Sequence, residues 1–337
     1  MKNLRVFLTG HTGFKGSWLL LWLRRLGAEV TGYSLEATER SMYRQLALDD
    51  ECASIVADIR DRDRLAAALR DATPDVVFHL AAQPLVLASY ADPLGTLETN
   101  VLGTANLLEA LRILGRPCTV IVVTSDKCYE SRTGSHRETD CLGGHDLYSA
   151  SKAAAEIVTA AYRRSFKLRI ASVRAGNVIG GGDWADDRIV PDSIRALERG
   201  QPIRVRNPRF VRPWQHVVEP LSGYLKLATR LMDEPDLASA WNFGPADDEE
   251  RTVADVVNGV IEAWGSGTWT PDPDAYAHET RTLRLNTEKA RDELGWSPRW
   301  PFERAIRETV AWYRAAHDGA SARELRALTI AQIEAHT

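Results

Sequence analysis

The chain is sparing with several things. Four cysteines in 337 residues, Cys52, Cys118, Cys128 and Cys141, form no CxxC pair and share no metal-ligand spacing with the eight scattered histidines. A disulfide scaffold and a structural metal are therefore not expected, and the thiols read as reduced groups of a cytoplasmic protein. Neither sign of charge dominates. The 42 basic and 46 acidic side chains leave a formal net charge of −4, which gives no general attraction to nucleic acid or an anionic membrane. Long apolar runs are missing too. The strongest, 18–23, is far too short to span a bilayer, and no signal-peptide pattern precedes the opening strand at 4–8. There is no internal repeat, low-complexity tract or disordered linker. What remains is the balance of a globular protein, 44% hydrophobic and 26% charged, long enough for one large or two ordinary domains.

The first half alternates strand and helix. Strands are expected at Arg5–Thr9, 30–34, 54–58, 76–80, 120–124 and 168–173. Helices are expected at 13–26, closed by Gly27, and at 61–70, 94–114 and 148–166. That rhythm predicts an α/β, Rossmann-type doubly wound parallel sheet with right-handed crossovers. After Arg174 it stops. Pro191, Pro202, Pro208 and Pro213 punctuate short segments, with helices expected at Val253–Trp264, 302–316 and 321–335, and a short one capped by Thr287 and ended at Gly295. The expectation is residues 1–175 as the first domain, to which 214–243 can return, and 176–337 as a smaller mixed α/β domain over the sheet's carboxyl edge.

Thr9-Gly10-His11-Thr12-Gly13-Phe14-Lys15-Gly16 joins the first strand to the first helix. Glycines at 10, 13 and 16 permit a tight turn, backbone approach to a pyrophosphate and close helix–strand packing. The helix N-terminus directs free N–H groups at the phosphates. Lys15 opposes the helix dipole unless an anion lies near. The second strand ends Ser34-Leu35, with Glu36 and Arg40 beyond, so NAD and NADP are not separated there. Asp58 ends the third strand, where it is placed to meet the adenine edge. Leu80, Ala81, Ala82 and Gln83 follow the fourth, and the small residues allow close approach.

The fifth strand runs into Thr124-Ser125-Asp126-Lys127-Cys128-Tyr129, at the sheet edge where open parallel sheets bind ligands. Tyr148 and Lys152 follow, one helical turn apart. A phenol near pKa 10 is a poor base at neutral pH, and a neighbouring cation lowers that value. Ser125 is placed to hydrogen-bond the same substrate hydroxyl. This trio behind the glycine loop resembles the extended short-chain dehydrogenase/reductase superfamily over essentially the whole chain. Gly10-His11-Thr12-Gly13-Phe14-Lys15-Gly16-Ser17-Trp18, Thr124 to Tyr129, Gly182-Asp183-Trp184 and Arg212-Pro213-Trp214-Gln215-His216-Val217 are together similar to the CDP-glucose 4,6-dehydratase family.

That resemblance implies NAD as cofactor, held by Thr9, Gly10, Gly13, Phe14, Lys15, Gly16, Ser34, Asp58, Ile59, Leu80, Ala81, Ala82, Gln83, Asn100, Thr124, Tyr148 and Lys152. It implies CDP-glucose as the small-molecule substrate, met in the second domain by Gln83, Asn177, Arg188, Arg212, Trp214 and His216. The implied reaction gives CDP-4-dehydro-6-deoxyglucose and water, and serves dideoxyhexoses of bacterial surface polysaccharide. C4 is oxidised with Tyr148 as base, water is eliminated across C5–C6, and hydride returns to C6. Most nucleotide-sugar 4,6-dehydratases carry Asp then Glu in this loop as acid and base; here Asp126 is followed by Lys127, a base only if its pKa is strongly lowered. A nucleotide-sugar 4-epimerase shares Ser125, Tyr148 and Lys152 but has no need of that second pair. A cofactor-sensing regulator needs neither pair. The helices at 94–114 and 148–166 carry wide apolar faces, and the resemblance implies a homodimer through a four-helix bundle.

Overall fold

The computed structural model describes residues 1–130, 134–246, 251–272 and 283–337. Seven strands form the central sheet: β1 (Arg5–Thr9), β2 (Glu29–Ser34), β3 (Ala53–Val56), β4 (Val76–His79), β5 (Thr119–Val123), β6 (Arg169–Ala175) and β7 (Ala240–Phe243). Their order is β7-β6-β5-β4-β1-β2-β3, and every pairing is parallel. The chain leaves β1 toward β2 but reaches β4 on β1's other side. The order reverses there and opens a crevice at the carboxyl ends.

Helices cover both faces, which is why the strands read as near-continuous apolar runs. Phe7, Val77, Val120, Val122 and Ile170 pack on Leu65 and Leu69 of α2 (Arg62–Ala72) and on Leu107, Leu108 and Leu111 of α3 (Gly103–Leu114). Val6, Leu8, Val76, Phe78 and Ile121 point the other way, into the larger core. The sequence's strongest apolar run belongs there. In α1 (Phe14–Arg25), Trp18 to Leu23 are all buried, with Trp18 Nε1 donating to Gly181 O at 3.0 Å and Trp22 edge-on to His336. A helix apolar all round is one packed on all sides. Among the described residues no helix is long and apolar enough to cross a membrane.

The expected 94–114 helix is broken into Pro93–Leu97, a π turn at Glu98–Leu102, and α3. Such turns recur at functional sites. α4 (Leu147–Phe166) runs from the Asp146 N-cap, whose carboxylate accepts the Ser149 N–H at 2.8 Å. Beyond β6 the chain builds α5 (Ile189–Glu198), α6 (Val218–Leu231), α7 (Val253–Trp264), α8 (Phe302–His317) and α9 (Ala322–His336), with two- and three-residue strand pairs between them. β7 returns to the main sheet beside β6, and Val218, Leu221, Tyr224 and Leu225 of α6 enter the larger core.

Candidate active site at the carboxyl edge

A cavity of about 1690 Å³ opens beyond the carboxyl ends of the paired strands β1 and β4. Its walls bring together Gly10, Gly13, Phe14, Lys15 and Gly16 after β1, Ser34 after β2, Asp58 and Ile59 after β3, and Leu80, Ala81 and Ala82 after β4. Thr124, Ser125, Asp126 and Lys127 follow β5, and Tyr148 and Lys152 project from α4. Asn177, Arg188, Arg212 and Trp214 close the other side.

The β1–α1 turn is built tightly against its neighbours. Gly10 has φ +75°, and a Cβ on it would sit 2.8 Å from Ala81 N; one on Gly16 would sit 2.0 Å from Gly10 O. Only glycine fits either place. Gly13 differs. A Cβ there meets nothing nearer than Gly10 O at 3.3 Å, so the space it leaves belongs to the cavity. Gly13 also caps α1 without a side-chain bond, and the first turn holds no acid. Free N–H groups and open backbone at a helix N-terminus fit a dinucleotide's pyrophosphate. At the β2–β3 end the arginines are committed. Arg40 pairs with Glu198 at 2.6 Å and lies over Trp184, Arg44 pairs with Glu36 and Asp49, and Arg60 grips Asp58 at 2.7 Å. A 2′-phosphate would have to displace one of those carboxylates, so the site fits an unphosphorylated ribose.

Ser125 caps the short 3₁₀ turn Asp126–Cys128, its Oγ accepting the Lys127 N–H at 3.2 Å and donating to Asp126 Oδ1 at 3.0 Å. Asp126 Oδ2 is buried without a hydrogen-bond partner. Burial pushes the Asp126 carboxyl above its ordinary range, although Lys127, Ser125, Arg212 and Lys15 oppose the shift. Lys127 lines the cavity half-buried. Burial raises Tyr148 to about 12, against a hydrogen bond from Ser125 and the charge of Arg188. Desolvation therefore outweighs the lowering that a neighbouring cation is expected to bring to this phenol. Burial also lowers the Lys152 ammonium to about 8; its Nζ is 3.5 Å from Val123 O. Lys15 falls to about 8 for the same reason, helped by Arg188 and Lys152.

Four expected contacts are corrected. Thr9 lies beneath the cavity, where its Oγ1 accepts the Leu80 and Ala81 N–H groups at 3.1 Å and meets His79 Nδ1 at 2.8 Å. Asn100, in the π turn, brackets Gln83 by accepting its N–H at 2.8 Å and donating to its carbonyl at 3.0 Å. The Gln83 side chain is turned to Thr96 Oγ1 at 2.9 Å. These three shape the wall rather than form it. His216 is fully buried between the rings of Trp18 and Trp300, with centroids at 5.5 and 4.8 Å, and burial lowers it to about 3. It is a core residue.

The other substrate-side expectations line the wall. Arg188 pairs with Asp183 at 3.1 Å, Arg212 is buried with its guanidinium over Phe210, and Trp214 Nε1 donates to Arg251 O at 3.2 Å. Sequence reasoning missed Arg204 and Arg206, which also line the cavity. The alternation Ile203-Arg204-Val205-Arg206 carried the signal, since period two places both arginines on one face. Among the described residues no group of three His, Cys, Asp or Glu is arranged to hold a metal.

The family model described as GDP-mannose 4,6 dehydratase matches residues 7–309. The chain belongs to the GDP-mannose 4,6 dehydratase family. A CDP-glucose 4,6-dehydratase of Salmonella typhimurium is 46% identical over 325 residues, covering 92% of this chain and 90% of the relative. A dTDP-glucose 4,6-dehydratase of Streptomyces antibioticus is 30% identical, covering 92% of each. Among solved structures, a dTDP-glucose 4,6-dehydratase from Streptomyces venezuelae with NAD bound superposes with a TM-score of 0.81 at 26% identity, over 94% of this chain and 98% of that one. A Thermus thermophilus UDP-glucose 4-epimerase complex with NAD gives 0.81 at 28% identity, over 93% and 100%. This family member therefore shares its fold with epimerases as well as dehydratases.

Proposed function

We propose that this protein is a hydro-lyase converting CDP-glucose to CDP-4-dehydro-6-deoxyglucose and water with NAD as a resident cofactor. One observation carries the reading. A buried carboxyl, Asp126, raised toward its acid form, shares a wall with Tyr148, Ser125 and Lys152. C4 oxidation alone, as in an epimerase, uses the last three; elimination across C5–C6 needs a further acid and a base.

Gly10, Gly13 and the α1 N-terminus would hold the pyrophosphate, Asp58 and Ile59 the adenosine end, and Lys152 the nicotinamide ribose. When bound, the dinucleotide would supply a two-electron acceptor for C4 and, once reduced, the hydride donor for C6. The phenolate of Tyr148 takes the O4 proton, steadied by Ser125 Oγ. A C4 ketone acidifies the C5 proton, which Lys127 removes as the base. Asp126 gives its proton to the departing C6 hydroxyl, which leaves as water. Each acid or base contributes on the order of 10²–10⁴-fold. Residues 1–175, with 214–243, form the cofactor half in this reading. Asn177, Arg188, Arg212 and Trp214, joined by Arg204 and Arg206, hold the nucleotide-sugar from 176–337.

In this reading the protein acts in the cytoplasm, early in supply of deoxysugars for surface polysaccharide. It acts as a homodimer. Leu94, Leu102 and Ile113 along the 93–114 stretch and Ile157 and Phe166 on α4 are 47–72% exposed, an apolar face suited to pairing with a second copy. A monomeric mass by light scattering at micromolar concentration would contradict the dimer. The activity is tested by incubation with CDP-, dTDP- and UDP-glucose and GDP-mannose, with and without NAD, followed by mass spectrometry. Loss of one water from CDP-glucose is expected; unchanged mass with inversion at C4 would instead mark an epimerase.

A further inference from the structure

Below the catalytic turn lies a charged pair that the mechanism does not use. Glu156 follows Lys152 by four residues and Tyr148 by eight, so all three share one stripe of α4. Its side chain and that of Arg174 on β6 are 3% and 4% exposed and meet at 2.8 Å. The Glu156 carboxylate accepts from Thr124 Oγ1, from Ser172 Oγ at 2.7 Å and from Arg174 Nη2. On the other side, Arg174 Nη1 donates to Tyr129 Oη at 2.8 Å and to Glu138 O at 3.2 Å, and the Tyr129 hydroxyl donates to Asn242 Oδ1 at 2.6 Å. Thr124 and Tyr129 are the residues that begin and end the turn holding Ser125, Asp126 and Lys127. One buried ion pair is thus bonded to both ends of that turn.

We propose that Glu156 and Arg174 are positioning residues that clamp the 124–129 turn at both ends and hold its acid and base against the sugar. Two buried charges are a poor route to stability, because well-packed apolar groups of similar volume do as well or better. Their use lies in direction. A carboxylate and a fork of N–H donors fix hydroxyls at defined angles, which apolar packing cannot do. Glu156 acts on Lys152 as well. The charged and titratable groups around that ammonium are Cys128 and Glu156, which support its charge, and Lys15 and His79. Loss of the carboxylate therefore lets Lys152 surrender its proton at lower pH.

The proposal rests on the dehydratase reading for its catalytic part, so the test includes a readout that needs no turnover. Two variants are compared with the wild type: Glu156→Gln, and the double variant Glu156→Leu with Arg174→Met, which removes both charges and guards against misfolding. Hydrogen exchange should quicken in the backbone amides of 124–129 while β1, β2 and β4 keep their protection. With CDP-glucose, kcat should fall about 10²-fold, the loss expected for a misplacement of roughly 1 Å, with KM changed less than about threefold. The alkaline limb of the Glu156→Gln pH profile should move to lower pH. If a folded double variant keeps wild-type exchange over 124–129 and wild-type kcat, the pair is structural and the proposal fails. If the wild type dehydrates no nucleotide-sugar, the dehydratase reading fails while the exchange data still decide the clamp.

Discussion

Asp126→Asn separates the two halves of the chemistry. The replacement keeps the shape and the acceptor that Ser125 Oγ meets at 3.0 Å, and removes only the acid. Burial raises the folded pKa of this carboxyl above its unfolded value. Between those two values the folded state holds the proton and the unfolded state has lost it, so stability falls as pH rises through that window. The buried site disfavours the charged carboxylate, so the neutral amide should melt at or above the wild-type temperature. Catalysis should suffer at one step. Loss of a general acid costs about 10²–10⁴-fold, or roughly 3–5 kcal/mol on the elimination barrier. A single-turnover experiment reads both halves: cofactor absorbance reports oxidation at C4, and mass spectrometry reports loss of water. Oxidation should proceed within about threefold of the normal rate while elimination slows by at least about 100-fold. Equal slowing of the two, or elimination at the wild-type rate, would refute the assignment of Asp126 as the acid.

Lys127→Met should abolish exchange of the C5 hydrogen with deuterated water while leaving C4 oxidation; exchange at the normal rate would remove Lys127 as the C5 base. Gly13→Ala should leave the melting temperature unchanged and weaken NAD binding in a fluorescence titration, because its Cβ enters the cavity instead of the protein. Gly16→Ala should lower both, since its Cβ meets Gly10 O at 2.0 Å. His216 is held near pKa 3 by burial, so the unfolded chain takes up a proton that the native state refuses. Its contribution is intact above about pH 6.5 and is lost as pH falls toward about 3, at about 1.4 kcal/mol per pH unit. His216→Phe should flatten the slope of urea-derived stability against pH by that amount; an unchanged slope would mean that the ring is not buried neutral.

Much of the sheet was legible because its physics is local. β1 and α7 have the bounds expected from apolar pattern and capping, and the remaining strands of the first half differ by a residue or two at their ends. The failures have physical causes. Pro191 reads as a breaker, yet it is the third residue of its helix, in the first turn, where its missing N–H has no partner to lose. β7 hides a fully buried Asn242, whose Nδ2 donates to His136 O and Asn286 O, so the strand has no apolar run to find. At the site, the Gly10, Gly13 and Gly16 spacing and the Tyr148, Lys152 pair were readable because one loop or one helix carries each. His216 and Asn100 were not. Whether a polar side chain faces a cavity or a core depends on what packs from far along the chain, here Trp300 for one and Ser151 for the other.

In the proposed reaction electrons leave C4 and return to C6 of the same sugar while one water departs. CDP-glucose carrying deuterium at C4, turned over with NAD in ordinary water, tests it directly. A product one water lighter is expected, with the deuterium at C6 and no net reduction of the cofactor. Deuterium retained at C4 of an epimerised sugar, or lost from the product altogether, would contradict it.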